Sequence, residues 1–166
     1  MRKAAILAVT ALLFGCGASA AEFRGISSHS TCSSIVSSEQ RMGAKLIGQR
    51  QETGASGPVQ VEELAGEIDG VQVHIDVACE GEKLSMVVFS AEVASDAAAS
   101  DAFDRLRSSV ATQRGTAQDQ DGSHGRRVGF GCKPSELSVS LVEALVSKGA
   151  NRPSAALLVV PKPGAC

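Results

Sequence analysis

His74 is the residue best placed to do chemistry, because a carboxylate follows it two positions later. His74 and Asp76 belong to an alternating stretch, so in a β-strand both side chains lie on the same polar face. A histidine beside a carboxylate can act as a general base or ligate a metal ion. The same pair is commoner as ordinary surface residues of a half-exposed strand. We therefore treat it as a weak surface candidate and as the centre of an enzyme alternative.

The other two histidines have poorer surroundings. His29 has no second ligand nearby in the sequence. His124 follows Asp119, Asp121 and Gly122, which are similar to the start of a calcium loop but lack its third acid and distal glutamate. The chain also has no Gly-x-Ser-x-Gly, no His-Glu-x-x-His and no phosphate-binding glycine loop. We expect no metal and no cofactor, assign no catalytic residue, and favour a protein that is not an enzyme.

The N-terminus carries an export signal. A cationic start is followed by an apolar run from residue 4 to 14, too short for a membrane span, and then by Ala18-Ser19-Ala20. These features predict a signal peptide over 1–20 and a single mature domain over 21–166. In the alternative, the segment ending at Cys16 resembles a bacterial lipobox, and Cys16 would carry a lipid anchor. Both interpretations export the protein, so we expect a periplasmic or secreted location, or lipid anchoring to the envelope.

The cysteines predict two disulfides. Five are present, and either processing route leaves four of them, Cys32, Cys79, Cys132 and Cys166, to pair with one another. An even number in an exported chain is typical of disulfides, and no Cys-x-x-Cys metal claw occurs. We predict Cys32–Cys79 where the first helix packs on the sheet, and Cys132–Cys166 at one end of the sheet.

Composition and charge limit the classes of partner that this protein is expected to bind. Trp and Tyr are absent, so the stacking platforms that bind single-stranded nucleic acid are nearly missing, and we expect no nucleic-acid partner. Twelve acidic residues and one basic residue, Lys83, lie from Glu52 to Asp104. The excess is typical of a solvated acidic face, and it alternatively predicts a patch that steers a protein with a cationic surface.

The clearest local element is a hairpin centred on Asp69-Gly70. This dipeptide between alternating residues favours a type I′ turn, which requires positive φ at both positions. Pairing outward from the turn places Ile68 opposite Val71 and directs the apolar residues of 71–79 inward. Upstream, Val59 and Val61 stand at odd-numbered positions and Leu64 at an even-numbered one, so they would face opposite sides of a regular strand. This predicts a β-bulge near Glu62-Glu63.

The remaining elements predict an α+β domain. Helices are expected over Thr31 to Met42 and Asp96 to Arg114, and residues 116–125 are expected to form a polar loop. Three strands follow, of which Leu137 to Leu145 also fits a helix; its alternation favours a strand. With "FRGI" at residue 23 as the first strand, the order is β-α-β-β-β-β-α-β-β-β, an antiparallel sheet with two helices on one face.

This order of elements resembles that of small uncharacterised exported α+β domains of proteobacteria, of periplasmic or lipoprotein type. The resemblance covers the order of elements rather than a motif, and it transfers no functional residues. Together with the leader, it implies an exported cell-envelope protein, in our interpretation a binding or structural module that is not an enzyme. The alternatives are an inhibitor of an exported hydrolase, such as a lysozyme or protease, and an enzyme with His74 and Asp76 at its site.

Overall fold

The computed structural model describes residues 23–54, 57–120, 122–130 and 137–161. The α-helices are α1 (Cys32–Arg41) and α2 (Asp96–Arg114), and a short 3-10 helix covers Val146–Lys148. The strands are β1 (Lys45–Gly54), β2 (Gly57–Ile68), β3 (Val71–Glu80), β4 (Lys83–Glu92), β5 (Ala117–Gln120), β6 (Arg127–Phe130), β7 (Ser138–Ala144) and β8 (Ser154–Val160).

All eight strands form one sheet in the order β1-β2-β3-β4-β8-β7-β6-β5, and every neighbouring pair is antiparallel. The order divides the chain into two similar halves, each a helix followed by a four-stranded meander. The halves join where the last strand of each, β4 and β8, pair with one another. The prediction of an α+β fold with an antiparallel sheet is confirmed.

The β2–β3 hairpin confirms the predicted turn and register. Asp69 and Gly70 have φ values of 47° and 78°, as a type I′ turn requires. Ile68 lies opposite Val71, and the pairing continues without a break to Gln60 opposite Cys79. The predicted bulge near Glu62-Glu63 is therefore wrong for this pair of strands. A register shift occurs instead between β1 and β2, at Leu46/Gly48.

Helix α1 begins where the Ser/Thr-rich segment was expected to cap it. The side chain of Thr31 accepts a hydrogen bond from the backbone N–H of Ser34, whose own side chain bonds back to Thr31. Cys32, at the start of the helix, forms a disulfide with Cys79 at a Cα–Cα distance of 6.1 Å. The prediction of Cys32–Cys79 is confirmed. Cys132 and Cys166 lie outside the described residues, so their pairing stays a prediction.

Helix α2 packs on the same face of the sheet as α1. Ser95 caps its start, and Gly115, at φ 86°, ends it. Its buried stripe, which includes Phe103, Leu106 and Val110, belongs to one apolar core with the inward residues of the strands. That core also contains Cys32 and Cys79, so both helices cover one face, as predicted.

The first predicted strand is wrong. Phe23 and Ile26 form an isolated bridge across a tight turn in which Arg24 and Gly25 have φ values of 51° and 75°. Both apolar side chains are fully buried, because the turn directs them to the same side. Arg24 fixes the segment to α1 through two hydrogen bonds to Glu39, at 3.1 Å and 2.8 Å.

The second half contains four strands rather than the predicted three. Ala117–Gln120, in the segment predicted as a polar loop, is the edge strand β5, paired with β6. An edge strand with one neighbour needs no apolar alternation, so its sequence reads as a loop. The strand prediction for Leu137 to Leu145 is confirmed, since Ser138–Ala144 pairs with both β6 and β8.

Candidate functional site

One face of the sheet is covered by the helices and the other is not. We call the second surface the open face. Residues directly opposite one another on neighbouring strands share a face, so the register identifies its rows. One row crosses five strands through Glu63, Asp76, Val88, Leu158 and Ser140; the next row crosses them through Ala65, His74, Ser90, Ala156 and Val142.

The polar part of the open face is a group of charged residues gathered on one arginine. Arg50, on β1, donates to both oxygens of Asp76, with Nη1–Oδ1 at 3.1 Å and Nη2–Oδ2 at 3.0 Å. Its Nε lies 2.7 Å from Glu52 Oε1, and its Nη1 also contacts Glu63 Oε1. We call these four residues together with His74 the Arg50 cluster. Three carboxylates share one guanidinium, so the cluster has an excess of negative charge.

The pKa values in the Arg50 cluster follow from these contacts. Partial burial of Asp76 opposes its ionisation, but the hydrogen bonds from Arg50 outweigh burial and hold the pKa of Asp76 below its ordinary value. The hydrogen bond with Asp76, and then that with Glu52, raises the pKa of the Arg50 guanidinium. Asp76 and Arg50 are therefore both charged at neutral pH.

His74 lies at the rim of the Arg50 cluster. Its Nε2 is 3.0 Å from Asp76 Oδ1, and its side chain is 41% exposed. Across the strand pair, Ser90 Oγ donates to the backbone oxygen of His74 at 3.5 Å. These residues line a shallow depression of about 550 Å³ together with Ala65, Gln72 and others. The structure thus brings together the pair that the sequence singled out.

Three residues of the Arg50 cluster were missed by sequence reasoning: Glu63, Arg50 and Glu52, which lies two positions from Arg50 on the same strand. Glu63 lies directly opposite Asp76 in the β2–β3 register. The hairpin register, continued outward from the turn, already implied this pairing. It was missed because the expected bulge at Glu62-Glu63 would have shifted the register at that position. Arg50 comes from β1, one strand further away, and no local pattern in the sequence connects it to Asp76.

An apolar strip borders the Arg50 cluster. It runs across β4, β8 and β7, with Val88 directly opposite both Asp76 and Leu158. Its side chains are half-buried although no helix covers them. The strip consists of Met86, Val88, Val142, Ala156 and Leu158.

The other histidines lie apart from this site. His29 is exposed in the turn before α1. His124 Nδ1 is 3.1 Å from the backbone oxygen of Lys148, and Asp119 forms an ion pair with Arg107 at 3.2 Å. Asp121 lies outside the described residues. Asp119 and His124 of the calcium-like segment therefore make contacts away from the Arg50 cluster.

Some carboxylates of the acidic segment from Glu52 to Asp104 are paired with arginines that follow this segment in the chain. Asp104 contacts Arg126 at 2.7 Å, and Glu92 contacts Arg152 at 3.2 Å. In the Arg50 cluster, by contrast, the described contacts pair three carboxylates with a single guanidinium, that of Arg50. Carboxylates therefore outnumber cations in this part of the open face.

No protein-family model, curated protein or solved structure shows significant similarity to this chain. Within the described ranges, neither the helices nor the 3-10 turn combine the length and apolar character needed to cross a lipid bilayer.

Proposed function

We propose that this protein is an exported module of the cell envelope that binds another protein through its open face. The observation that carries the proposal is the contact between the apolar strip and the Arg50 cluster, with Val88 opposite Asp76. A surface of this kind offers apolar area for burial beside charges that select a partner. The partner we propose is a protein with a basic and partly apolar surface.

Export rests on the N-terminal sequence and is supported by the covalent structure. We propose cleavage after Ala20, with the mature domain from residue 21 in the periplasm or outside the cell; lipidation of Cys16 is the alternative. The Cys32–Cys79 disulfide supports this assignment, because disulfides persist mainly in oxidising compartments.

A binding role is favoured over catalysis by the state of Asp76. Both of its oxygens accept hydrogen bonds from Arg50, and one of them also contacts His74. An aspartate held in this way is a weak base, and the shallow depression around His74 leaves charges in contact with water. The enzyme alternative with His74 and Asp76 is therefore the less favoured proposal.

An inhibitor of a cationic exported hydrolase, such as a lysozyme or protease, is the second candidate function. The excess carboxylates beside the apolar strip favour it, because they complement the basic surface of such an enzyme. Inhibition of a purified lysozyme or protease by the mature protein, weakened by salt, would support this candidate over a structural partner.

Site-specific photo-crosslinking in the living envelope tests the proposed function. A photoreactive amino acid at Leu158 should give one discrete adduct, whereas the same amino acid at Asp101, an exposed position of α2, should give none. The purified partner should then bind the mature protein with an affinity that falls as salt rises, since screening acts over ~10 Å at 0.1 M. Equal adducts from both positions, no adduct from Leu158, or salt-independent binding would contradict the proposal.

A further inference from the structure

We infer that Glu63, His74 and Asp76 form a binding site for a divalent transition-metal ion, with Zn²⁺ the best fit, and that the ion displaces the guanidinium of Arg50. This inference does not depend on the proposed protein partner. It rests on the position, charge and chemical type of four side chains on β1, β2 and β3.

The three donors are already close enough to hold one ion. One ligand atom from each of Glu63, His74 and Asp76 lies within 4.8 Å of the other two. Ligands on a tetrahedral Zn²⁺, with bonds of about 2.0–2.2 Å, are about 3.3–3.6 Å apart. Small side-chain rotations are therefore sufficient to close the set around an ion.

The backbone positions of the donors are fixed by the sheet. Glu63 and Asp76 are direct cross-strand neighbours on β2 and β3, and His74 is two positions from Asp76 on the same face. Central strands of a paired sheet hold their Cβ atoms at constant separation. The ligands therefore need little ordering when the ion binds, which favours affinity.

The donor types select the metal class. An imidazole nitrogen with two carboxylate oxygens suits Zn²⁺ and similar first-row ions better than Ca²⁺ or Mg²⁺, which prefer oxygen ligands alone. Three protein ligands also leave a further position for water, as in open zinc sites. Glu63 and Asp76 together neutralise the two positive charges of the ion.

Arg50 now occupies the position of the cation. Its guanidinium contacts Glu63, Asp76 and Glu52 at once. Asp76 Oδ1, the oxygen nearest His74, is also bonded by Arg50 Nη1, so an ion at this oxygen would lie next to the guanidinium. Repulsion between the two cations favours withdrawal of Arg50 from Glu63 and Asp76. Arg50 can remain paired with Glu52, which is 55% exposed and lies outside the donor set. Arg50 is thus a competitor for the site.

Calorimetric titration with Zn²⁺ tests the site in tag-free mature protein treated with a chelator and dialysed. We expect a single ion per chain, and a loss of affinity of at least about tenfold in His74→Gln and in Asp76→Asn. Arg50→Gln should bind Zn²⁺ about tenfold more tightly, because it removes a unit positive charge a few ångströms from the ion. Co²⁺ absorption in the visible range should report the same site and the same ranking of variants.

Matched controls make the result specific. His29→Gln and His124→Gln remove the two histidines remote from the Arg50 cluster and should leave Zn²⁺ affinity unchanged. Circular dichroism identifies any variant that fails to fold, and Glu63→Gln provides a second ligand variant if Asp76→Asn does so. No Zn²⁺ binding by the wild type, or unchanged affinity in His74→Gln, would overturn the site. Unchanged or weaker binding in Arg50→Gln would overturn the displacement of Arg50.

Discussion

Arg50 on β1 holds both carboxylate oxygens of Asp76 on β3, at 3.1 Å and 3.0 Å, although β2 lies between the two strands. The arginine reaches across the intervening strand and contacts Glu63 of β2 on the way. The first three strands of the first meander are therefore linked on the open face by side chains as well as by backbone hydrogen bonds. The same residues define the charged part of the candidate site.

The first prediction concerns the Cys32–Cys79 disulfide. The bond joins residues separated by 47 positions, and a loop of that size is worth about 4 kcal/mol in the chain-entropy description. The Cys32→Ser/Cys79→Ser double variant should lose stability of that order, measured by urea unfolding. Stability equal to that of the wild type would contradict the packing of α1 on β3.

The second prediction uses two neighbouring leucines on opposite faces of β8. Leu157 is fully buried in the core, whereas Leu158 lies on the open face. Leu157→Ala should lower the free energy of unfolding by about 3 kcal/mol because it leaves a cavity. Leu158→Ala should lower it by less than about 1 kcal/mol. Urea denaturation of the two variants measures the difference. A large cost for Leu158→Ala would mean that its face is covered.

The third prediction concerns the ion pair between Glu143 and Arg126. The Glu143 side chain is only 2% exposed and accepts hydrogen bonds from Arg126, at 2.9 Å, and from Ser100, at 2.7 Å. Glu143→Ala should destabilise the protein by about 2 kcal/mol, because it removes the buried acceptor of hydrogen bonds from Ser100 and from the backbone and side chain of Arg126, although Arg126 keeps its pair with Asp104. The matched control is Glu92→Ala, which removes the exposed pair with Arg152 and should cost less than about 1 kcal/mol. Equal costs in thermal or urea unfolding would refute the structural role of Glu143.

The fourth prediction is a pH dependence of stability that originates at Glu143. Burial of the Glu143 side chain opposes its ionisation, but hydrogen bonds from Arg126 and Ser100 outweigh burial and lower the pKa of Glu143 from its ordinary value of 4.5. A carboxyl with a lower pKa in the folded chain stabilises the fold above its unfolded pKa and loses that contribution as pH falls through the folded value. The stability advantage of the wild type over Glu143→Gln should therefore be greatest above about pH 6 and should shrink as the pH falls from there to below 4.5. A difference that stays constant over this range would be inconsistent with the lowered pKa.

The fifth prediction concerns the processing and covalent state of the protein under the proposed export. The mature chain should begin at Ala21 without lipid, and Cys132 should be bonded to Cys166 in addition to the Cys32–Cys79 pair. Intact mass before and after reduction gives the cleavage site, any lipid and the number of disulfides in one experiment. A diacylglycerol mass on Cys16, or a Cys79–Cys166 peptide in a non-reducing digest, would refute the corresponding part.

The sequence by itself determined the elements whose stability is local. Asp69-Gly70 specified its turn through backbone φ preferences, and the alternation around it set the β2–β3 register. The capped helix at Thr31 and the inward position of Cys79 were sufficient to pair Cys32 with Cys79. These features depend on residues close in the chain or on the face that a side chain occupies, and periodicity reveals both.

The tertiary structure alone decided which strands are neighbours. Alternation assigns a side chain to a face but does not identify the next strand, so the β4–β8 junction and the reach of Arg50 to Asp76 could not be derived. The shift between β1 and β2 at Leu46/Gly48 places Arg50 on the open face, and no local preference specifies it. Polar β5 forms because β6 offers it backbone partners. These features arise from pairing between distant segments, whose free energy depends on the whole sheet.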